Sequence, residues 1–103
     1  MDLRILLMRE DFITVVKDMG ILEINDDFFT LRKIAQKEDC LFISTIDDKG
    51  VTVINSLQID FLSEEITNLR QQEVNQKILD KLQQVLDEVR FTYYIYIKFM
   101  NVE

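Results

Sequence analysis

The sequence predicts a two-layer α+β domain, a small antiparallel sheet packed by helices. Three observations point there. The segment Leu62–Met100 passes from the heptad-like LSEEITNLRQQEVNQKILDKLQQVLDEVR straight into the β-prone FTYYIYIKFM, with no Gly or Pro between. A second stretch, Val51–Phe61, alternates apolar and polar residues behind the turn residues DDKG. The composition, 48% hydrophobic and 30% charged over 103 residues, suits a single domain, 1–103, with one core.

At the start of the chain, Asp2 can cap a helix. Ile5, Met8, Phe12, Val15, Val16 and Met19 then recur at three- and four-residue steps, which predicts a helix over about 3–19. Gly20 follows as its C′ residue. Leu3, Ile5 and Leu7 also alternate, so a strand over Leu3–Met8 with a helix from Glu10 is the competing reading. Asn25, Asp26 and Asp27 supply an N-cap for a helix over about 27–37 that buries Phe28, Leu31, Ile34 and Ala35.

Cys40–Ile46 is rich in β-branched and aromatic residues and reads as a strand. Asp47-Asp48-Lys49-Gly50 is its turn, with Gly50 taking a positive φ. The hairpin 40–46/51–61 follows, with Val51, Val53, Leu57, Ile59 and Phe61 on the core face and Asn55 marking a bend or bulge.

In the long segment, Ser63 is the expected cap. At about 100° per residue, Leu62, Ile66 and Leu69 fall roughly opposite Val74, Ile78, Leu79, Leu82, Val85, Leu86 and Val89. One straight helix cannot bury both stripes against one sheet. The spacing therefore predicts a break at Arg70-Gln71-Gln72, with helices over about 63–70 and 73–90. The C-terminal strand, 91–100, turns Phe91, Tyr93, Ile95, Ile97 and Phe99 to the core and Tyr94 and Tyr96 outward.

Charge and composition then narrow the function. The net charge is −7 and histidine is absent, which excludes His-based acid–base chemistry, Ser-His or Cys-His nucleophiles and His-containing zinc sites. Nucleic acid and an anionic membrane surface would repel such a chain. No apolar run approaches the ~20 residues of a membrane span, and Ile5–Met8 is too short for a secretory signal, so a cytoplasmic site is expected. The single Cys40 reads as a buried small hydrophobe. No EF-hand spacing, phosphate loop or nucleophile–base pair is present, so neither metal nor cofactor nor enzymatic activity is expected.

What remains is acid. Glu10-Asp11, Glu23 with Asp26-Asp27, Glu38-Asp39, Asp47-Asp48 and Glu64-Glu65 each have a local use as caps, turn residues or solvated faces. The docking reading brings Glu23, Asp26, Asp27, Asp47, Asp48, Glu64 and Glu65 together as a negative patch for a basic protein, with Tyr94 and Tyr96 supplying interface area. In size, charge and lack of catalytic motifs the chain is similar to bacterial toxin-immunity proteins, monomers that neutralise a basic nuclease toxin by binding it; no family motif carries the likeness. The alternative is a homo-oligomeric structural or regulatory module whose C-terminal strand is an open edge pairing across a two-fold axis.

Overall fold

The computed structural model describes residues 2–11, 13–90 and 95–102. In chain order the elements are β1 (Asp2–Arg9), β2 (Val15–Glu23), α1 (Asp26–Lys37), α2 (Leu41–Ser44), β3 (Val51–Ile54), a 3-10 turn (Ser56–Gln58), α3 (Ile59–Leu69), α4 (Gln76–Val89) and β4 (Ile95–Asn101). The four described strands form one antiparallel sheet in the order β2-β1-β4-β3. The two-layer α+β class holds, because every helix contributes to one core on one face of this sheet.

The helix expected over 3–19 is instead the hairpin β1–β2. Alternation wins from the first residue: Leu3, Ile5 and Leu7 are buried, while Arg4 and Leu6 are half-buried on the other face. The turn is made by Asp11, whose carboxylate accepts the Ile13 and Thr14 amides at 2.9 Å each and the Thr14 hydroxyl at 2.7 Å. Those donors hold the Asp11 carboxyl below its ordinary value, the Thr14 amide first among them. Gly20 does take a positive φ, +89°, but in a β-bulge of β2 rather than at a helix end. The bulge is held from both sides: Asp18 accepts the Gly20 amide, and Lys81, reaching over from α4, donates to the Met19 carbonyl.

The expected hairpin 40–46/51–61 does not form. Cys40–Ile46 contains the short helix α2, and β3 ends at Ile54 and pairs with β4 instead. Asn55 is no bulge. Its side chain accepts the Leu57 and Gln58 amides while Gln58 bonds back to the Asn55 amide, a capping box that turns the chain into helix. Leu57 and Phe61, expected in the core, are 83% and 58% exposed. Gly50 has no positive φ; a Cβ there would meet the Asp47 carboxylate at 2.7 Å and displace that side chain, not the backbone.

The break in the long segment is real. α3 begins at Ile59, four residues before Ser63, and ends at Leu69; α4 begins at Gln76, with Asn75 as its N-cap. Arg70 spans the elbow, donating to Gln76 and to Asp80 of α4. With the chain turned, Ile59, Leu62, Ile66 and Leu69 meet the same core as Ile78, Leu79, Leu82, Val85, Leu86 and Val89. Each such side chain, fully buried, contributes about 1.5–3 kcal/mol.

β4 is the sheet's interior strand, hydrogen-bonded to β1 on one side and β3 on the other. From Ile97 to Met100 both of its backbone edges are taken, so this part of the strand is not the open edge expected for pairing across a two-fold axis. Ile97 and Phe99 face the core as expected. The expectations for Phe91, Tyr93 and Tyr94 lie outside the described residues.

Candidate protein-docking surface

The anticipated acids do not converge. Asp48 is spent inside the fold: its carboxylate accepts from Arg32 at 2.8 Å, and the same guanidinium donates to the Ile46 carbonyl and lies over the rings of Phe28 and Phe29. This bond, with lesser help from Asp48's own backbone amide and the Arg32 charge, outweighs desolvation and holds the Asp48 carboxyl below its ordinary range. Asp47 accepts the Lys49 amide at 2.9 Å and shapes the turn. Asn101 donates to the Asp48 carbonyl and Thr52 accepts the Asp47 amide, so this loop is pinned from several directions.

Asp26 and Asp27 begin α1, whose cap is Asn25. Asp27 also accepts from Asn75, joining the starts of α1 and α4. Glu23 lines a hollow of about 210 Å³ shared with Lys77 and Lys81, so cations rather than other acids surround it. Tyr96 is half-buried on the sheet face turned away from the helices, and Tyr94 lies outside the described residues.

Glu65 corrects the expectation of an exposed rim most plainly. Only 8% exposed, it accepts the Phe42 and Ile43 amides at 3.0 Å each and so caps α2 from a different helix. Burial raises its carboxyl above the ordinary value, while the two amides pull the other way.

Glu64 points elsewhere, into a cleft of about 220 Å³ between α2, α3 and the end of α1. Its mouth carries Glu38, Asp39 and Glu64, and its wall holds Leu41 and the pair Phe42–Phe61, whose rings are tilted by 35° with centres 6.1 Å apart. Leu41 is 66% exposed. Leu57 stands one turn before Phe61, and Asp60 beside it, so the apolar knob continues along the start of α3. Glu38, Asp39, Asp60 and Glu64 make no ion pair among the described residues, and no basic residue lines the cleft.

The cleft's edge is also where the backbone is strained. Asp39 has φ +57°, the left-handed region. It is the C′ residue of α1 in a Schellman motif, in which the Cys40 amide bonds to the Ala35 carbonyl and the Asp39 amide to that of Gln36. Glycine is the ordinary occupant of this place, and the chain puts an acid there. Cys40, 2% exposed at the cleft's base, is kept protonated by burial and by the surrounding Glu65, Glu38 and Asp39, so it offers no reactive thiolate.

The sequence marked Glu38-Asp39 and Glu64 as acidic but not the apolar residues between them. Leu57 and Phe61 carried a signal: the N-x-x-Q box at Asn55 starts a helix, and a helix places them with Asp60 on its solvent side. Among the described residues no three acids or thiols group as metal ligands would, and no helix is long and apolar enough to cross a membrane. No protein-family model, curated protein or solved structure matches the chain.

Proposed function

We propose that this is a cytoplasmic inhibitory binding protein that docks a basic protein at the α2–α3 cleft and acts by occlusion rather than catalysis. The biological setting the reading suits best is toxin immunity, of the contact-dependent growth inhibition type, with a basic nuclease domain as the partner. One observation carries it: Leu41 and Phe61 are exposed beside Glu38, Asp39 and Glu64, with no cation lining the cleft. That is the composition of a docking hot spot, an aromatic and aliphatic centre that excludes water within a charged rim. The carboxylates would steer the lysines and arginines with which a nuclease grips nucleic acid, and Phe61 would anchor beside them.

The test is titration calorimetry and a cleavage assay against any basic nuclease domain that a neighbouring reading frame encodes. The wild-type chain is expected to bind it and block cleavage. Phe61→Ala is expected to weaken binding by about 30-fold, the cost of truncating an anchoring aromatic. Glu64→Lys is expected to slow association and reduce its salt dependence. A wild-type chain that neither binds nor protects, or variants that bind unchanged, would sink the proposal.

A further inference from the structure

The sheet has a second face, and nothing in the helical layer covers it. Strand pairing sets Ile21, Arg4, Met100 and Val51 in one outer row, Asp18, Leu6, Lys98 and Val53 in the next, and Val15 and Tyr96 beyond. Val15, Ile21, Val51 and Val53, four of the ten exposed large hydrophobics among the described residues, gather here. The central charges are few. Asp18 is paired with Arg4, and Lys98 has no ion pair among the described residues.

We infer that this face binds a second copy of the same chain, sheet against sheet. The charges favour a copy over another partner because Asp18 and Lys98 stand on either side of β1 in one row. A two-fold axis lying in the interface along β1 exchanges β2 and β4, which sets Lys98 opposite Asp18 of the partner subunit. The same operation sets Met100 opposite the partner's Ile21, Tyr96 opposite the partner's Val15, and Leu6 opposite its own counterpart. Arg4, also on β1, falls opposite its own counterpart, each held by the salt bridge to its own Asp18. Asp18 then lies between Arg4 of its own chain and Lys98 of the partner subunit, and the Ile21–Met100 and Val15–Tyr96 contacts flank two equivalent ion pairs. The strands align across the interface, as in packed antiparallel sheets.

The arrangement also answers the repulsion between two chains of charge −7. Sheets pack about 10 Å apart, and a helical layer adds about 10 Å on each side, so the helical layers that carry the acidic clefts lie roughly 30 Å apart, nearly four Debye lengths at cellular salt. The overlapping strands β2, β1 and β4 present roughly 15 by 23 Å in projection. That is roughly 350 Å² per subunit and roughly 700 Å² in all, below the roughly 1,200 Å² of a stable specific interface, so the contact is a weak one with a dissociation constant of about 10–100 µM. The α2–α3 cleft plays no part in this contact, so the dimer and the docking of a basic partner stand or fall separately.

Sedimentation velocity across roughly 5–300 µM brackets that constant. The wild-type chain is expected to pass from monomer to dimer in this range. Lys98→Glu and Asp18→Lys are each expected to weaken self-association at least tenfold. An equimolar mixture of the two is expected to restore it, since the introduced carboxylate of one chain then meets the introduced ammonium of the other in one contact, and the original pair survives in the second. Because Asp18 also holds the bulge at Gly20, Ile21→Lys mixed with Met100→Glu supplies a second complementing pair, and a thermal melt checks that each variant is folded. A wild-type chain that stays monomeric overturns the inference. So does a dimer that survives Lys98→Glu, a mixture that fails to restore association, or a dimer lost on Phe61→Ala.

Discussion

The Asp47-Asp48 loop and the Glu64-Glu65 turn of α3 carry the same formal charge and use it differently. In the loop both carboxylates are taken up by the chain's own donors, Arg32 on Asp48 and the Lys49 amide on Asp47. In α3 the pair divides: Glu65 is drawn inward to cap α2, and Glu64 is left at the cleft with Glu38 and Asp39. A carboxylate whose oxygens already accept internal bonds has little to offer a partner. What a carboxylate of this chain leaves free depends on which internal donors lie nearby, not on how many acids are adjacent in sequence.

Substitutions at these carboxylates put the contrast to the test. The largest effect is expected from Glu65→Ala, which leaves the Phe42 and Ile43 amides without an acceptor in a buried site; a loss of about 3 kcal/mol should appear in urea or thermal unfolding. Glu65→Gln, which keeps one acceptor oxygen, should lose less. Glu65 also has a pH signature. Its folded carboxyl is raised above 4.5, so its contribution is fully present below 4.5 and is lost as pH rises through the higher folded value. The Gln variant should lack that slope, and identical pH profiles for the two proteins would refute the buried assignment.

Asp48→Asn should lower the melting temperature by less than Glu65→Ala, and by more than any change at Glu64. Here the sign reverses. The folded carboxyl is held below 3.8, so its contribution is present above 3.8 and lost as pH falls through the lower folded value. Amide exchange across residues 45–50 should quicken in that acid range.

Asp39→Gly should stabilise the fold by about 0.5–1 kcal/mol by relieving the left-handed strain, while weakening capture of a basic partner. A stabilised variant with undiminished binding would mean that Asp39 contributes nothing to the cleft. The smallest effect is expected from Glu38→Gln with Glu64→Gln, within about 0.5 kcal/mol in stability, as suits exposed residues. A large loss there would erase the distinction between the two regions.

The sequence could be read well where local chemistry decides and poorly where distant residues decide. The elbow was legible because Leu62–Leu69 and Val74–Val89 bury opposite stripes, a conflict visible from spacing alone. Helix α1 was legible from Asn25 and its acidic first turn. The hairpin β1–β2 was half legible: Leu3, Ile5 and Leu7 alternate, but Val15, Val16 and Met19 happen to continue a helical period, and the turn at Asp11 that separates them gave no proline or glycine signal. Helix α2 was not legible, because its β-branched sequence is overruled by a carboxylate more than twenty residues further on. The cleft inherited that difficulty. Its apolar wall exists only if α2 and the start of α3 are helical, and read as strands the same residues vanish into a core.

The interior position of β4 sets the order of events in folding. The first hairpin closes over a short loop and can form within microseconds. The contacts that join it to the rest, Leu3 with Asn101 through Arg9 with Ile95, bring together residues from opposite ends of the described chain, and β3 has no neighbour in the sheet except β4. Until β4 arrives, β1 and β3 each hold an unpaired backbone edge, and the helices have only a fragment of sheet on which to condense. Completion of the sheet therefore waits on the most distant pairing in the molecule, which makes this a slow folder for its size and the half-built sheet its aggregation-prone state.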